Sequence, residues 1–385
     1  MSAVRRDPLS RVSTLFHQHT SHPSALSHPS RLLTPADYGW DTERERSFAP
    51  SRDEGLIPGR VVRAERGLCD VVAETGPVRA MVLPSSGTGD RLTPCTGDWV
   101  AVRPAGRATS ATVVEVLQRR TAVVRSTASR TSQAQVLAAN VDTVAVAVSL
   151  ADPLKLGRVE RMLALAWDSG ATPVIMLTKA DRCTDPASAA SEVAEAAPGV
   201  EVLVTSAATG EGLDVLTAVL SGTVVLLGPS GAGKSTLGNR LLGEDLLATG
   251  SVRGSDGKGR HTTAWRELVP LPHGGVLLDT PGLRGVGLHD ADDGLDHVFA
   301  EITELARDCR FADCAHTTEP GCAATAAVED GRLTRRRLDS YHRLQRENTH
   351  ATARTDARLR AELERPMKQI SRQVRALKRS PHFKA

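Results

Sequence analysis

The chain has 385 residues, room for two or three domains, and its 40% hydrophobic content is that of an ordinary soluble protein. No apolar run is long enough to span a bilayer. The charged start, Met1 to Arg11, is not followed by an apolar stretch, so neither a membrane-spanning anchor nor a secretory leader is expected and the cytoplasm is the default. The net charge of +3 hides an asymmetry: from Gly331 onward sixteen Lys/Arg face five Asp/Glu, a surplus of +11 that leaves −8 on the rest. A basic tail on an acidic body points to a polyanionic partner, nucleic acid or membrane, with a merely solvated tail as the plain alternative.

Residues 1–54 are rich in Ser, His, Pro and Arg without sustained periodicity, and predict a flexible leader. Residues 55–118 alternate as short β-runs at Ile57–Ala64, Leu68–Ala73, Val78–Leu83, Trp99–Arg103 and Thr112–Leu117. Turn signals such as Thr75-Gly76-Pro77 and Thr96-Gly97-Asp98 separate them. Five short strands in this length suit a small closed barrel, with an OB-fold ahead of an SH3-like barrel.

In residues 119–286 apolar strand runs alternate with helical stretches such as Arg158–Asp168 and Ala187–Ala196. That order predicts an α/β domain with a parallel sheet and its ligand at the carboxyl edge. Along it come Thr178-Lys179-Ala180-Asp181 and then Thr205-Ser206-Ala207. The Asp181 carboxylate can accept from guanine N1–H and the exocyclic amine, a donor pair adenine lacks. The Lys179 stem can lie over the base, Ser206 can support the set, and backbone near Ala207 can meet the guanine 6-oxygen. Thr178 stands where GTPases more often carry Asn. An ordinary strand-end turn is the alternative for these residues.

Next comes Gly228-Pro229-Ser230-Gly231-Ala232-Gly233-Lys234-Ser235, which fits G-x-x-x-x-G-K-[ST] at every fixed position, between a β-run and the helical stretch Lys234–Leu242. Its N–H groups are expected to cradle phosphates, Lys234 to reach the β- and γ-phosphates, Ser235 to bind Mg²⁺, and Thr236 to complete the phosphate set. A side chain at Gly228 or Gly233 is expected to obstruct that cradle.

The glycine-rich stretch Gly254–Thr263 predicts a switch loop, with Thr263 preferred to Thr262 as a second Mg²⁺ ligand. Beyond the run Gly275–Leu278, Asp279 suits an outer-shell contact to Mg²⁺ and the Gly282 N–H a γ-phosphate contact. Leu283 follows where many GTPases place a water-orienting Gln, so slow intrinsic hydrolysis is expected. His261 is the candidate to orient or deprotonate water, with simple packing or capping as the equal alternative. Gly231 stands where K⁺-dependent relatives place an Asn, so nothing here supports a K⁺ requirement. The base-reading pieces precede the phosphate loop, whereas ordinary GTPases have them after it. The parts are those of a P-loop GTPase in circularly permuted order.

Residues 287–385 read as a smaller α-rich region ending in the basic helical tail. Cys309-x₄-Cys314-x-His316-x₅-Cys322 places three thiols and an imidazole within fourteen residues. That makes one closed tetrahedral Zn²⁺ shell with no position left for water, hence a structural metal.

Together these features resemble the RsgA/YjeQ family of circularly permuted GTPases. The resemblance is carried by Gly97-Asp98-Trp99-Val100, Ala139-Asn140-Val141-Asp142, the permuted motifs, Gly259-Arg260-His261-Thr262-Thr263 and the Cys/His spacing. It covers residues from about Gly55 to the tail. It implies a factor for late maturation of the small (30S) ribosomal subunit, with GTP hydrolysis stimulated by that subunit and with the barrel and zinc region on rRNA. GTP and GDP are the small ligands, and a monomer is expected. The rival reading is an RNA-binding assembly module that binds GTP with little turnover, and Asp181 disfavours an ATPase.

Overall fold

A computed structural model of the protein describes residues 32–83, 93–107, 109–125, 135–247, 267–278 and 291–353. Its barrel is built from β1 (Ile57–Glu65), β2 (Leu68–Ala73), β3 (Gly76–Val82), β4 (Trp99–Arg103) and β5 (Thr112–Val116). The strands close in the order β1-β2-β3-β5-β4, with β3 and β5 parallel and the other pairs antiparallel. That closure is the OB arrangement anticipated from the alternation. Inward positions Val61, Cys69, Val71, Ala80, Val100, Val102 and Val113 fill the interior, as period-2 side-chain direction requires.

The expectation of a flexible leader to residue 54 is corrected from residue 32 on. A 3₁₀ turn at Pro35–Tyr38 leads into α1 (Thr42–Asp53), which lies against the barrel. Its start is fixed by Asp41, whose carboxylate accepts from the Arg44 N–H at 2.8 Å. Arg52 near its end bonds Glu45 and Glu74. The helix hides from periodicity because Phe48 is its one buried apolar side chain and Pro50 lies inside it. Its anchor is aromatic instead: Trp40 meets Phe48 and Trp99 edge-on, at centroid distances of 5.7 and 4.9 Å. Residues 1–31 lie outside the described residues.

A two-stranded antiparallel sheet, β6 (Ala122–Arg125) with β7 (Gln135–Ala139), joins the barrel to the main sheet. The main sheet comprises β8 (Thr143–Ser149), β9 (Thr172–Thr178), β10 (Glu201–Val204), β11 (Thr223–Leu227), β12 (Leu268–Pro270) and β13 (Val276–Leu278). Their order is β10-β9-β8-β11-β13-β12, parallel except for the edge strand β12. The chain winds outward from β8 through β9 to β10, then returns to β11 on β8's other side. The β8/β11 boundary is therefore the switch point, where a crevice opens at the carboxyl ends of the strands.

The helices cover the two faces according to strand alternation. Val144, Val146, Val148, Ile175 and Leu177 face α2 (Leu156–Asp168) and α3 (Pro186–Ala196). Ala145, Ala147, Val174, Met176 and Leu226 face α4 (Leu213–Val219) and α5 (Lys234–Leu242). The C-terminal region, α6 (Asp292–Val298), α7 (Ala300–Ala306), α8 (Ala323–Glu329) and α9 (Arg335–Thr352), joins the α2 side. A buried ionic cluster fastens it there. Glu160 of α2, fully buried, accepts from Arg336 and Arg337 at 2.8 Å each and from the Ser340 hydroxyl. Arg337 also bonds Glu301, the Ala196 and Val298 carbonyls, and lies 4.3 Å over the Phe299 ring. Each charge is paired, as burial demands.

A second joint links barrel and sheet. Arg60 of β1, 2% exposed, lies 4.6 Å over Trp99 and donates to the Asn140 carbonyl at 3.2 Å and to Thr223 Oγ1 at 3.0 Å. Burial, with Arg44 nearby, pushes its guanidinium pKa down to about 9. Asn140, held at φ 52°, donates to the Gly97 carbonyl and accepts from Arg44 and the Arg120 N–H. Asp98 accepts two 2.7 Å bonds from Arg119, and Asp142 accepts from the Thr223 N–H at 2.6 Å. The two short motifs of the barrel and of the β8 entry are thus the two sides of one joint, which ends on the first residue of β11.

Candidate functional site

β11 is buried along its whole length and delivers the chain into the crevice at Gly228. A Cβ on Gly228 would lie 2.7 Å from the Ala147 carbonyl oxygen, a backbone atom that cannot yield. This glycine is therefore required by close packing of the loop on β8. At Gly233 the packing constraint is different. A Cβ there would find Thr178 Oγ1 at 3.6 Å, an ordinary contact, so neighbouring protein atoms leave room. The demand at Gly233 comes from its φ of 82°, which lets the loop turn directly into α5.

Pro229, Ser230, Gly231 and Ala232 complete the loop, closed by the Ala232 N–H donating to the Pro229 carbonyl at 3.3 Å. Lys234 opens α5, and its Nζ donates to the carbonyls of Gly228 and Pro229 at 2.7 and 2.8 Å. The ammonium is thereby held at the loop, where polyphosphate would be met. Ser235 and Thr236 follow in the first turn of α5, at its partly positive end.

The residues expected to read a base lie together beside this loop. β9 ends at Thr178, which is 4% exposed, and its hydroxyl donates to the Ala232 carbonyl at 2.7 Å. Thr178, at the end of β9, is thereby tied to the loop between β11 and α5. Lys179 takes a left-handed φ of 59°, and its Cε comes beside Gly233, so the stem runs along the phosphate loop. Ala180 is buried, and its N–H donates to the Thr205 carbonyl at 3.1 Å. Asp181 accepts from the Ser206 hydroxyl at 2.6 Å, which orients one carboxylate oxygen. The carbonyl of Ala207 accepts from Arg240 Nε at 3.0 Å. Arg240 carried no motif signal, because its partner lies 33 residues away on another element.

His261, Thr262, Thr263, Asp279, Gly282 and Leu283 lie outside the described residues, as does the stretch Arg354–Arg379.

The C-terminal cluster has the geometry of a metal centre. Cys309, Cys314, His316 and Cys322 bring their donor atoms within 4.8 Å of one another, and they are the one such group among the described residues. The Cys309 and Cys322 sulfurs are 3.9 Å apart, and His316 Nδ1 lies 3.6 and 3.4 Å from them. A tetrahedral ion with bonds of about 2.3 Å to sulfur and about 2.0–2.1 Å to nitrogen has edges of about 3.6–3.8 Å, so these side chains fit one. Burial opposes ionisation of Cys322, but hydrogen bonds from Thr325 and His316 outweigh it and bring its thiol down to about 6. The N–H groups of Ala323 and Thr325 aim at the Cys309 and Cys322 sulfurs, at 3.3 and 3.4 Å.

Glu319 is a support that sequence reasoning missed. Its carboxylate accepts from the N–H groups of Thr317, Ala315 and Thr318 at 2.8–3.1 Å. Those bonds, Thr317's first, hold the carboxyl at about 2. They fix the turn in which His316 adopts φ 57°.

Comparison with known proteins agrees with this geometry. The RsgA GTPase family model matches residues 116–289. A Streptomyces avermitilis protein named small ribosomal subunit biogenesis GTPase RsgA is 57% identical over 353 residues, covering 91% of this chain and 94% of that protein. A Streptomyces coelicolor protein of the same name is 56% identical over 359 residues, covering 92% and 95%. Among solved structures, YjeQ from Thermotoga maritima aligns with a TM-score of 0.57 at 25% identity, over 75% of this chain and 97% of that one. YloQ, described as a circularly permuted GTPase, aligns with a TM-score of 0.54 at 25% identity, over 74% and 92%.

Proposed function

The chain belongs to the RsgA GTPase family, and on that premise we propose that it hydrolyses GTP to GDP and phosphate as a switch in late maturation of the small (30S) ribosomal subunit. The observation that carries this reading is the Thr178–Ala232 bond of 2.7 Å. It joins a guanine-type reader to a phosphate loop in a single crevice, in a protein whose relatives are named for small-subunit biogenesis.

In this reading Asp181 accepts from the guanine edge, Lys179 covers the base, and Ser206 and Ala207 line its 6-oxygen side. Residues 228–236 hold the phosphates. Lys234, already directed onto the loop carbonyls, moves to the β- and γ-phosphate oxygens when they enter. Ser235 and Thr263 would hold Mg²⁺, which when bound neutralises charge on the β- and γ-oxygens. Asp279 and Gly282 sense the γ-phosphate. Leu283 cannot orient water, so the hydrolytic water is ordered by His261 or by a group that the small subunit contributes. The Cys309–Cys322 cluster holds one structural Zn²⁺. The barrel, the zinc region and the basic tail contact rRNA, and the protein acts as a monomer in the cytoplasm. Among the described residues no helix is long and apolar enough to cross a membrane.

The GTP form should bind purified small subunits more tightly than the GDP form, in sedimentation with a non-hydrolysable GTP analogue against GDP. A difference of roughly tenfold or more is expected, the usual scale of a coupling free energy. Equal affinities would remove the switch from the account.

A further inference from the structure

We infer that Arg240 is a positioning residue for guanine selection: from helix α5 it holds the Ala207 carbonyl and so sets the loop that meets the purine 6-oxygen. The inference rests on the reading of Thr178–Asp181 and Thr205–Ala207 as the base site, and goes beyond it by naming what holds that site in place.

Helix α5 carries Lys234 in its first turn and Arg240 six residues later, about 9 Å along the axis. Arg240 is exposed, so it contributes little to the packing under the helix. Its Nε donates to the Ala207 carbonyl at 3.0 Å. The loop is otherwise bonded to itself on the other side of Ala207. The Ser206 N–H donates to the Glu211 carbonyl at 2.9 Å, and the Gly210 N–H to the Ser206 carbonyl at 2.9 Å. The Ser206 hydroxyl also accepts from the Thr209 N–H and donates to Asp181.

Ala207 is thus clamped between Ser206 and Arg240. Among the described residues no other hydrogen bond from outside the loop reaches it. Fixing its carbonyl limits rotation about the residue whose N–H faces the 6-oxygen. The helix that grips phosphate then also presents the base reader, so the two grips share one rigid element.

The test is competition against fluorescent GDP on the full-length protein, with two competitors. One is GDP. The other is the diphosphate of 2-aminopurine riboside, which keeps the exocyclic amine but lacks both the 6-oxygen and the N1–H, so it binds more weakly throughout and only its change on substitution is compared. Arg240→Ala should weaken GDP by roughly three- to tenfold, the reach of one hydrogen bond of ordinary net worth, and leave the 2-aminopurine nucleotide within about twofold. Arg240→Lys should restore most of the loss, and thermal midpoints should stay together. Equal losses for both nucleotides, or no loss for GDP, overturn the role of Arg240. Asp181→Asn is measured alongside. If it loses GDP while Arg240→Ala does not, only the Arg240 inference falls. If Asp181→Asn keeps GDP unchanged, the base-site reading falls and the inference with it.

Discussion

Asp181→Asn should exchange guanine preference for xanthine preference. The wild-type carboxylate offers acceptors to N1–H and the exocyclic amine, and the Ser206 hydroxyl at 2.6 Å fixes which oxygen is left for the base. In the variant Ser206 can still donate to the amide oxygen, so the support survives. The amide nitrogen then presents a donor, which opposes the guanine donors and suits the 2-oxygen of xanthine. Hydrogen bonds to a charged group are worth about 1.5–3 kcal/mol each, so losing one and reducing the other to a neutral bond predicts a fall in GTP affinity of about 10²- to 10³-fold. Binding measured with GTP, xanthosine triphosphate and ATP checks this. Unchanged preference for GTP would mean that Thr178–Asp181 is only a strand-end turn.

Cys314→Ser should strip the metal from the C-terminal region. Cys314 is only partly buried, so a serine there perturbs packing little and the effect reports ligation. Apparent binding energies of structural zinc, about 10–16 kcal/mol, match or exceed the whole stability of a small domain. The region has a thin core: α6, α7 and α8 are seven residues each. Without the ion the turn around His316 loses its anchor, and the bonds of Glu319 and of His342 to this turn are left to order it. Zinc content should fall from about one ion per chain to near none, with new protease cleavage between Cys309 and Glu329. The Glu160–Arg337 cluster should keep α9 on α2. A wild-type protein that carries no zinc would end this claim.

Much of the site was legible because its chemistry fixes residue types at short spacing. The phosphate-loop motif, the Thr178–Asp181 segment proposed to read the base and the three cysteines with His316, whose donor atoms the structure brings together, all fall in this class. The barrel was legible because its strands alternate cleanly, and α5 began and ended as the sequence indicated. What escaped was set by long-range contact. The joint of Arg60 with Asn140 and Thr223 spans 80 and 163 residues, and Glu160 meets Arg337 across 177. Helix α1 escaped because two aromatics and a cap hold it, not an apolar stripe. Thr178 looked like a weakened Asn, yet its hydroxyl reaches the Ala232 carbonyl across the crevice.

The permuted order gains a physical meaning from these joints. β11 starts on Thr223, held by Arg60 of the barrel, and ends on the phosphate loop. β13 leads out toward Asp279 and on to α6, where the C-terminal region docks on α2 through Glu160. The strands beside the nucleotide crevice are therefore attached at one end to the barrel and at the other to the zinc region. Under the proposed function, a change at the γ-phosphate would then have two outlets toward RNA, and contact with RNA two routes back.

The most direct measurement is the rate of GTP hydrolysis by the full-length protein with and without purified small ribosomal subunits, with ATP as the control nucleotide. Slow turnover is expected alone, because Leu283 cannot place water, with a rise of at least about a hundredfold with subunits, on the scale of a positioned water-orienting or charge-stabilising group. ATP should remain inert in both cases. Equal rates with and without subunits would contradict it, and would leave a GTP-binding assembly module in its place.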